Sequence, residues 1–139
     1  MTADEKREVH EAILAGNRAL ESLQKAADAL ESASSWGVFD IFLGGGLTSA
    51  MKHARINKAQ TALGEARAYL RAFTRELSDV SSIDDLRVDV GGLLAAVDIF
   101  IDNPFVDIFV QRQIDDAQDN VNAAMQATKT VLSRLNELR

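Results

Sequence analysis

The sequence of 139 residues predicts an all-α fold: an elongated antiparallel helical bundle of three long helices and one short helix, with an aromatic cap at one end. Three separate stretches carry apolar residues at alternating intervals of three and four, which is the spacing of a heptad seam. Each stretch is polar elsewhere, so the helices have one another to bury their seams against. Residues 1–139 are expected to form a single domain, because the chain contains one Pro and no low-complexity segment.

The first long helix is predicted from about residue 3 to residue 34. Its seam consists of Val9, Ile13, Gly16, Leu20, Leu23, Ala27 and Leu30. Beside the seam, alanine recurs every seven residues, at Ala12, Ala19, Ala26 and Ala33. Such small side chains let a neighbouring helix approach closely, so this side of the helix is expected to face the bundle.

Residues 36–47 are predicted to form the turn between the first two helices. Ser34, Ser35 and Gly37 interrupt the first seam. The three consecutive glycines at 44–46 disfavour a helix further, since each costs about 1 kcal/mol relative to Ala. The first helix is therefore expected to end before Trp36.

The second long helix is predicted from about residue 49 to residue 78. Its seam consists of Ile56, Ala59, Leu63, Ala66, Leu70, Phe73 and Leu77. This helix carries six basic and two acidic residues, whereas the first carries four basic and seven acidic residues. Opposite charge beside two heptad seams favours their pairing, so the two helices are predicted to form an antiparallel hairpin.

Residues 79–89 are polar and lack a heptad, which indicates a connection. Leu86, Val88 and Val90 alternate with polar residues and allow a short extended run there. A short helix is predicted at 91–102. Its expected apolar face consists of Leu93, Leu94, Val97, Phe100 and Ile101.

Asn103 and Pro104 indicate the start of the last helix, because Asn is a good N-cap and Pro is tolerated at the first helical position. The third long seam follows, at Val110, Ile114, Ala117, Val121, Ala124, Thr128, Val131, Leu135 and Leu138. Three long seams account for three helices, so a fourth helix from another chain is expected to complete a four-helix packing.

Composition narrows the class of protein. The chain has 15 basic and 21 acidic residues, a formal net charge of −6, and no Cys. A surface of that sign repels phosphates, so nucleic acid is not an expected partner. No apolar run is long enough to form a transmembrane segment, and the start of the chain lacks the apolar core of a signal peptide. A cytoplasmic location is therefore expected.

A motif of an apolar residue followed by Asp, Ile and Phe occurs three times, at residues 39–42, 97–100 and 106–109. Six of the eight aromatic residues lie in or beside these motifs: Trp36, Phe39, Phe42, Phe100, Phe105 and Phe109. In one interpretation they form an apolar plug at the end of the bundle, with each Asp in water or capping a helix. In the other, the carboxylates form a polar site within an apolar wall.

Lys52 and His53 are the cations that such a site would use. Both fall in the first turn of the second predicted helix, where positive charge opposes the helix macrodipole by about 0.3–1 kcal/mol each. That placement indicates acids nearby, so we expect one or more of four carboxylates to pair with them. The four are Asp40, Asp98, Asp102 and Asp107.

Other chemistries have less support. The glycine-rich segment before Lys52 lacks P-loop spacing, and no Glu-x-x-His pair of the di-iron bundles occurs. A hard-cation site at Asp98, Asp102 and Asp107 stays open, although EF-hand spacing is missing. Nucleophilic catalysis is not indicated, since the chain has no Cys and no Ser in a catalytic motif. No cofactor is expected.

The order Trp36-Gly37, Asp40, three glycines and then Lys52-His53 resembles a family of small uncharacterised bacterial all-helical proteins. The resemblance continues in the segment from Asp98 to Asp107, although Ile108 stands where that pattern has Trp. It implies a helical fold and adds weight to the polar site without implying a reaction. A Trp-Gly at a helical turn is also similar to the small secreted WXG proteins, whose motif is Trp-x-Gly.

Two functions are therefore expected from different classes. The first is a non-catalytic helical interaction or scaffold protein that forms a homo-oligomer or binds a helical protein partner. The second is a small-ligand-binding or metal-binding protein, with or without enzymatic activity, that uses the Asp, His and Lys residues at the aromatic end. A closed apolar plug at that end favours the first function, and an open pocket with converging carboxylates favours the second.

Overall fold

The computed structural model describes residues 2–43, 49–80, 87–102 and 111–139, with side chains described at 2–34, 54–80, 90–100 and 113–139. Four helices account for nearly all of these residues: α1 (Ala3–Leu43), α2 (Ser49–Ser78), α3 (Arg87–Asp102) and α4 (Gln111–Leu138). No strand occurs in the described ranges. The all-α helical bundle expected from the heptad pattern is therefore confirmed.

The helices pack as a closed ring. α1 contacts α2 and α4, and α3 contacts α4 and, less extensively, α2, while the two diagonal pairs barely touch. In the α1–α2 pair, Ser32 lies beside Arg55, and Gly16 lies beside Phe73. The residue number rises on one helix as it falls on the other, so this pair is antiparallel, as predicted. The fourth helix of the bundle is α3 of the same chain. The expected association with another chain stays a prediction.

The heptad seams predicted from the sequence form the core. All seven seam residues of α2 are buried, as are those of α4 from Ile114 to Leu135. On α1 the four alanines of the heptad row are buried more completely than Leu20 and Ala27 of the seam itself. Alanine is favoured there because a larger side chain would hold the neighbouring helix away.

Gly16 marks the point where three helices meet. A Cβ atom placed there would lie 2.6 Å from Leu132 Cδ2 on α4 and 2.8 Å from Phe73 Cε1 on α2. Phe73 is fully buried, and Leu132 is 6% exposed. The missing side chain therefore lets α2 and α4 insert apolar groups against the backbone of α1.

The start of α1 is fixed by a capping box. The Glu5 backbone N–H donates to Thr2 Oγ1 at 3.1 Å, and the Thr2 N–H donates to Glu5 Oε2 at 3.0 Å. Two backbone donors that an isolated helix leaves unsatisfied are thus paired reciprocally. The Thr-x-x-Glu spacing at residues 2–5 is the sequence signal for this cap.

Two predicted boundaries were wrong. α1 does not end near residue 34 but continues through Gly37 to Leu43, so most of the predicted turn is helical. One glycine costs only about 1 kcal/mol, and the apolar residues after it favour continuation. At α3, Val88 and Val90 are helical rather than extended, because the helix begins at Arg87 and buries Val90. The prediction that Asn103 and Pro104 start the last helix lies outside the described residues.

The buried face of α3 also differs from the expected one. Val90, Leu93, Val97 and Phe100 are buried, whereas Leu94 is 45% exposed. Spacings of three, four and three place the first four on one stripe, and Leu94 lies beside that stripe. Among the described residues, no helix combines the length and apolar character needed to cross a membrane.

Candidate functional site

The polar site predicted at the aromatic end has one member with a described side chain. Asp98 lies on α3 and is exposed. The side chains of the other five members are outside the described residues: Asp40, Lys52, His53, Asp102 and Asp107. The pairing of these acids with the two cations therefore stays a prediction.

The aromatic cluster likewise has one described side chain. Phe100 is fully buried and belongs to the main hydrophobic core. The side chains of Trp36, Phe39, Phe42, Phe105 and Phe109 lie outside the described residues. Asp98 precedes Phe100 by two positions on the helix, which turns one towards solvent and the other into the bundle. Where the side chains are described, no three His, Asp or Glu residues gather in a way that would hold a metal ion.

A surface on α3 stands out in the described part of the chain. Its six exposed residues, here called the α3 outer face, are Gly91, Gly92, Leu94, Ala95, Asp98 and Ile99. Ile99 is 58% exposed and Leu94 is 45% exposed. Asp98 is the one charged residue of the six, whereas the exposed side of α4 carries many polar residues. An apolar outer face is unusual for a helix that packs on one side only.

A second feature is a groove along the outer side of the α1–α2 pair. Its wide end has a volume of about 850 Å³ and is lined by α1 residues between Lys25 and Ser32 and α2 residues between Ala54 and Glu65. Two narrower sections continue it, one beside Lys25 and Glu65 and the next beside Tyr69. Among the residues whose side chains are described, none of α3 or α4 lines these three sections.

Contacts between side chains hold the wide end of this groove in shape. Arg55 of α2 donates a hydrogen bond to Ser32 Oγ of α1, which ties the two helices together at the groove. Gln24 donates to Asp28 Oδ1 at 3.1 Å, and Lys25 Nζ lies 3.7 Å from Glu21 Oε1, both within α1. The groove thus presents charged side chains and apolar surface together.

Sequence reasoning found neither feature. The apolar pattern does not predict the α3 outer face, because it places Leu94 on the buried stripe. The groove is not predictable from the heptad pattern, because its depth depends on the distance between α1 and α2, which that pattern does not specify. The usable signal for the groove was the series of small residues at heptad spacing on α1, Ala15, Ser22 and Ala29.

No protein-family model, curated protein or solved structure matches this chain.

Proposed function

We propose that this protein is a non-catalytic helical interaction protein that associates with a second copy of itself through the α3 outer face. The observation that carries the proposal is the exposure of Leu94 and Ile99 on a helix whose opposite side is fully packed. Contact with another apolar surface would remove these side chains from water, which stabilises the contact by roughly 25 cal/mol per Å² of apolar surface buried. A self-association surface therefore accounts for their position.

The two glycines of α3 support the same proposal. Within a helix each costs about 1 kcal/mol relative to Ala. A Cβ atom added at Gly91 or Gly92 would meet nothing within 4 Å, so packing inside the molecule does not require either glycine. A glycine at an exposed helical position lets another backbone approach closely. The unused space above these residues is therefore suited to a partner helix.

A second copy is the partner that fits the shape of this face. Gly91 and Gly92 form a hollow at one end, and Ile99 forms a projection at the other end. In an antiparallel two-fold contact, each Ile99 would lie over the glycines of the other copy, with Ala95 at the symmetry axis. Such an isologous contact is self-complementary. The two Asp98 carboxylates would lie about 9 Å apart along the helix axis, near the rim.

The contact is expected to be weak. α3 is 16 residues long and thus spans about 24 Å. One helix face of that length is smaller than the roughly 800 Å² per partner of a standard interface. We expect the protein to be half-dimeric at a concentration between about 10 µM and 1 mM. The cytoplasmic location and bacterial source expected from the sequence stay part of the proposal.

The test is sedimentation equilibrium of the full chain with a matched pair of variants. Leu94→Lys is expected to weaken dimerisation about tenfold or more, because it places a charge in the contact. Leu14→Lys is the control, since Leu14 lies on α1 and is 43% exposed, nearly as much as Leu94. It is expected to leave dimerisation unchanged. Equal effects of the two substitutions, or a monomeric wild-type protein across the range, would contradict the proposal.

Gly91→Gln separates loss of contact from loss of folding. No atom lies within 4 Å of the new Cβ position, and Gln is a better helix former than Gly. The substitution is therefore expected to raise the melting temperature of the monomer while it weakens dimerisation. If dimerisation were as strong in this variant as in the wild type, the backbone of α3 would not be part of the contact.

A further inference from the structure

The wide end of the α1–α2 groove points to a ligand of another kind. Its volume of about 850 Å³ falls within the range of about 300–1,000 Å³ typical of small-molecule sites. The described residues that line it belong to α1 and α2, so the site does not include the α3 outer face. Three features of the groove lining specify the chemistry of the ligand: the apolar floor, the cations and the acids of the groove.

The floor is apolar and made of methyl groups. Ala29 of α1 is buried, Ala62 of α2 is half-buried, and exposed Ala54 of α2 also lines the groove. Ala62 occupies the same heptad position as Tyr69, which narrows the groove seven residues further along α2. The groove is wider here because position 62 carries alanine, whereas position 69 carries the larger tyrosine. An apolar ligand body would cover the exposed methyl groups.

Cations line the wall on the α2 side. Arg55 is half-buried, lines the groove and donates a hydrogen bond to Ser32 of the facing helix. Lys58 lies one helical turn further, and exposed Thr61 follows with a hydroxyl group. Residues three apart project from the same side of a helix, so Arg55 and Lys58 can contact one anionic group together.

The acids of the groove do not cancel this charge. The lining contains three cations, Lys25, Arg55 and Lys58, against Asp28 and Glu65, a net charge of +1 on a chain with a net charge of −6. Asp28 accepts a hydrogen bond from Gln24 of its own helix. Glu65 and Lys25 both lie where the groove narrows, since both also line the next section, and Lys25 Nζ is 3.7 Å from Glu21 Oε1. The centre of the wide end therefore has two cations, Arg55 and Lys58, against Asp28.

We infer that the wide end of the groove binds a small anionic amphiphile, with its apolar body on the alanine floor and its acidic group on Arg55 and Lys58. The class includes carboxylates, sulfonates and phosphates that carry an aromatic or aliphatic body. Charge alone is insufficient in this groove, and so is apolar surface alone. The ligand needs both, because the floor and the cations are adjacent.

The experiment uses two fluorescent probes of nearly equal shape, anilinonaphthalene sulfonate and its neutral relative phenylnaphthylamine. Wild-type protein is expected to bind the sulfonate at least about fivefold more tightly than the neutral probe. Lys58→Gln is expected to weaken sulfonate binding about three- to fivefold and to leave the neutral probe within about twofold. Lys129→Gln, at an exposed lysine of α4, is the matched control and should change neither affinity.

A second variant tests the floor. Ala62→Leu is expected to weaken the binding of both probes, because the larger side chain occupies the place of the ligand body, whereas Ala123→Leu at an exposed site on α4 should not. Equal affinity for the two probes, or equal losses in Lys58→Gln and Lys129→Gln, would overturn the inference. Circular dichroism of each variant confirms that it is folded. Dimerisation is measured separately, so failure here leaves the self-association proposal standing.

Discussion

Phe73→Ala is expected to lower the free energy of unfolding by about 3–5 kcal/mol. The ring is fully buried, and its edge lies against the backbone of α1 at Gly16, where α4 also makes contact. Its removal would leave a cavity at the junction of three helices, which cannot collapse without moving one of them. A domain has a total stability of about 5–15 kcal/mol, so the loss is a large fraction. Urea denaturation followed by circular dichroism measures it.

Tyr69→Ala is the matched control for this substitution. Tyr69 lies four residues before Phe73 on the same helix, but it is 44% exposed. Its replacement is expected to cost less than about 1.5 kcal/mol, since little buried area is lost. If the two substitutions cost the same, the junction at Gly16 does not hold the core together as described.

Gly16→Ala is expected to lower the free energy of unfolding by about 1–2 kcal/mol, although alanine is the better helix former. The new Cβ would lie 2.6 Å from Leu132 Cδ2 and 2.8 Å from Phe73 Cε1, distances that force both side chains to move. Overpacking of a well-filled core typically costs about 1–3 kcal/mol, which exceeds the gain of up to about 1 kcal/mol in helix propensity. The same denaturation measurement applies.

Gly64→Ala is expected to change the free energy of unfolding in the opposite direction. Gly64 is exposed within α2, and an added Cβ would meet nothing within 4 Å. Only the gain in helix propensity remains, so this variant is expected to be more stable by about 0.5–1 kcal/mol.

The effects of Gly16→Ala and Leu132→Ala on the free energy of unfolding should be coupled, because the shorter side chain at 132 relieves the clash. Stabilisation by Gly16→Ala would contradict the close approach of the three helices.

The heptad pattern predicted the core well because burial on a helix follows a fixed angular period. Ile56, Leu63 and Phe73 are buried for this reason, and no knowledge of their neighbours was needed. The junction at Gly16 was not predictable in the same way. The sequence places Gly16 on the seam, but the choice of Phe73 and Leu132 as its neighbours depends on the register between helices, which tertiary packing decides.

The ends of the helices and their exposed faces are decided by smaller free-energy differences than burial of the core. Gly37 was expected to end α1, yet a cost of about 1 kcal/mol is easily offset by the apolar residues that follow. Leu94 lies beside the buried stripe of α3, so a small rotation of the helix decides whether it faces the core or solvent. A pattern of apolar residues alone does not distinguish those two outcomes. The polar site at the aromatic end stays a prediction, since most of its side chains lie outside the described residues.

The most direct test of the α3 contact uses the absence of Cys from the chain. A single cysteine introduced by Ala95→Cys would lie at the two-fold axis beside its own copy, whereas Ala123→Cys places one at an exposed site on α4. Under mild oxidation the first variant is expected to form a disulfide-linked dimer rapidly, and the second slowly. Equal rates of cross-linking in the two variants would contradict the antiparallel pairing of α3 with a second copy.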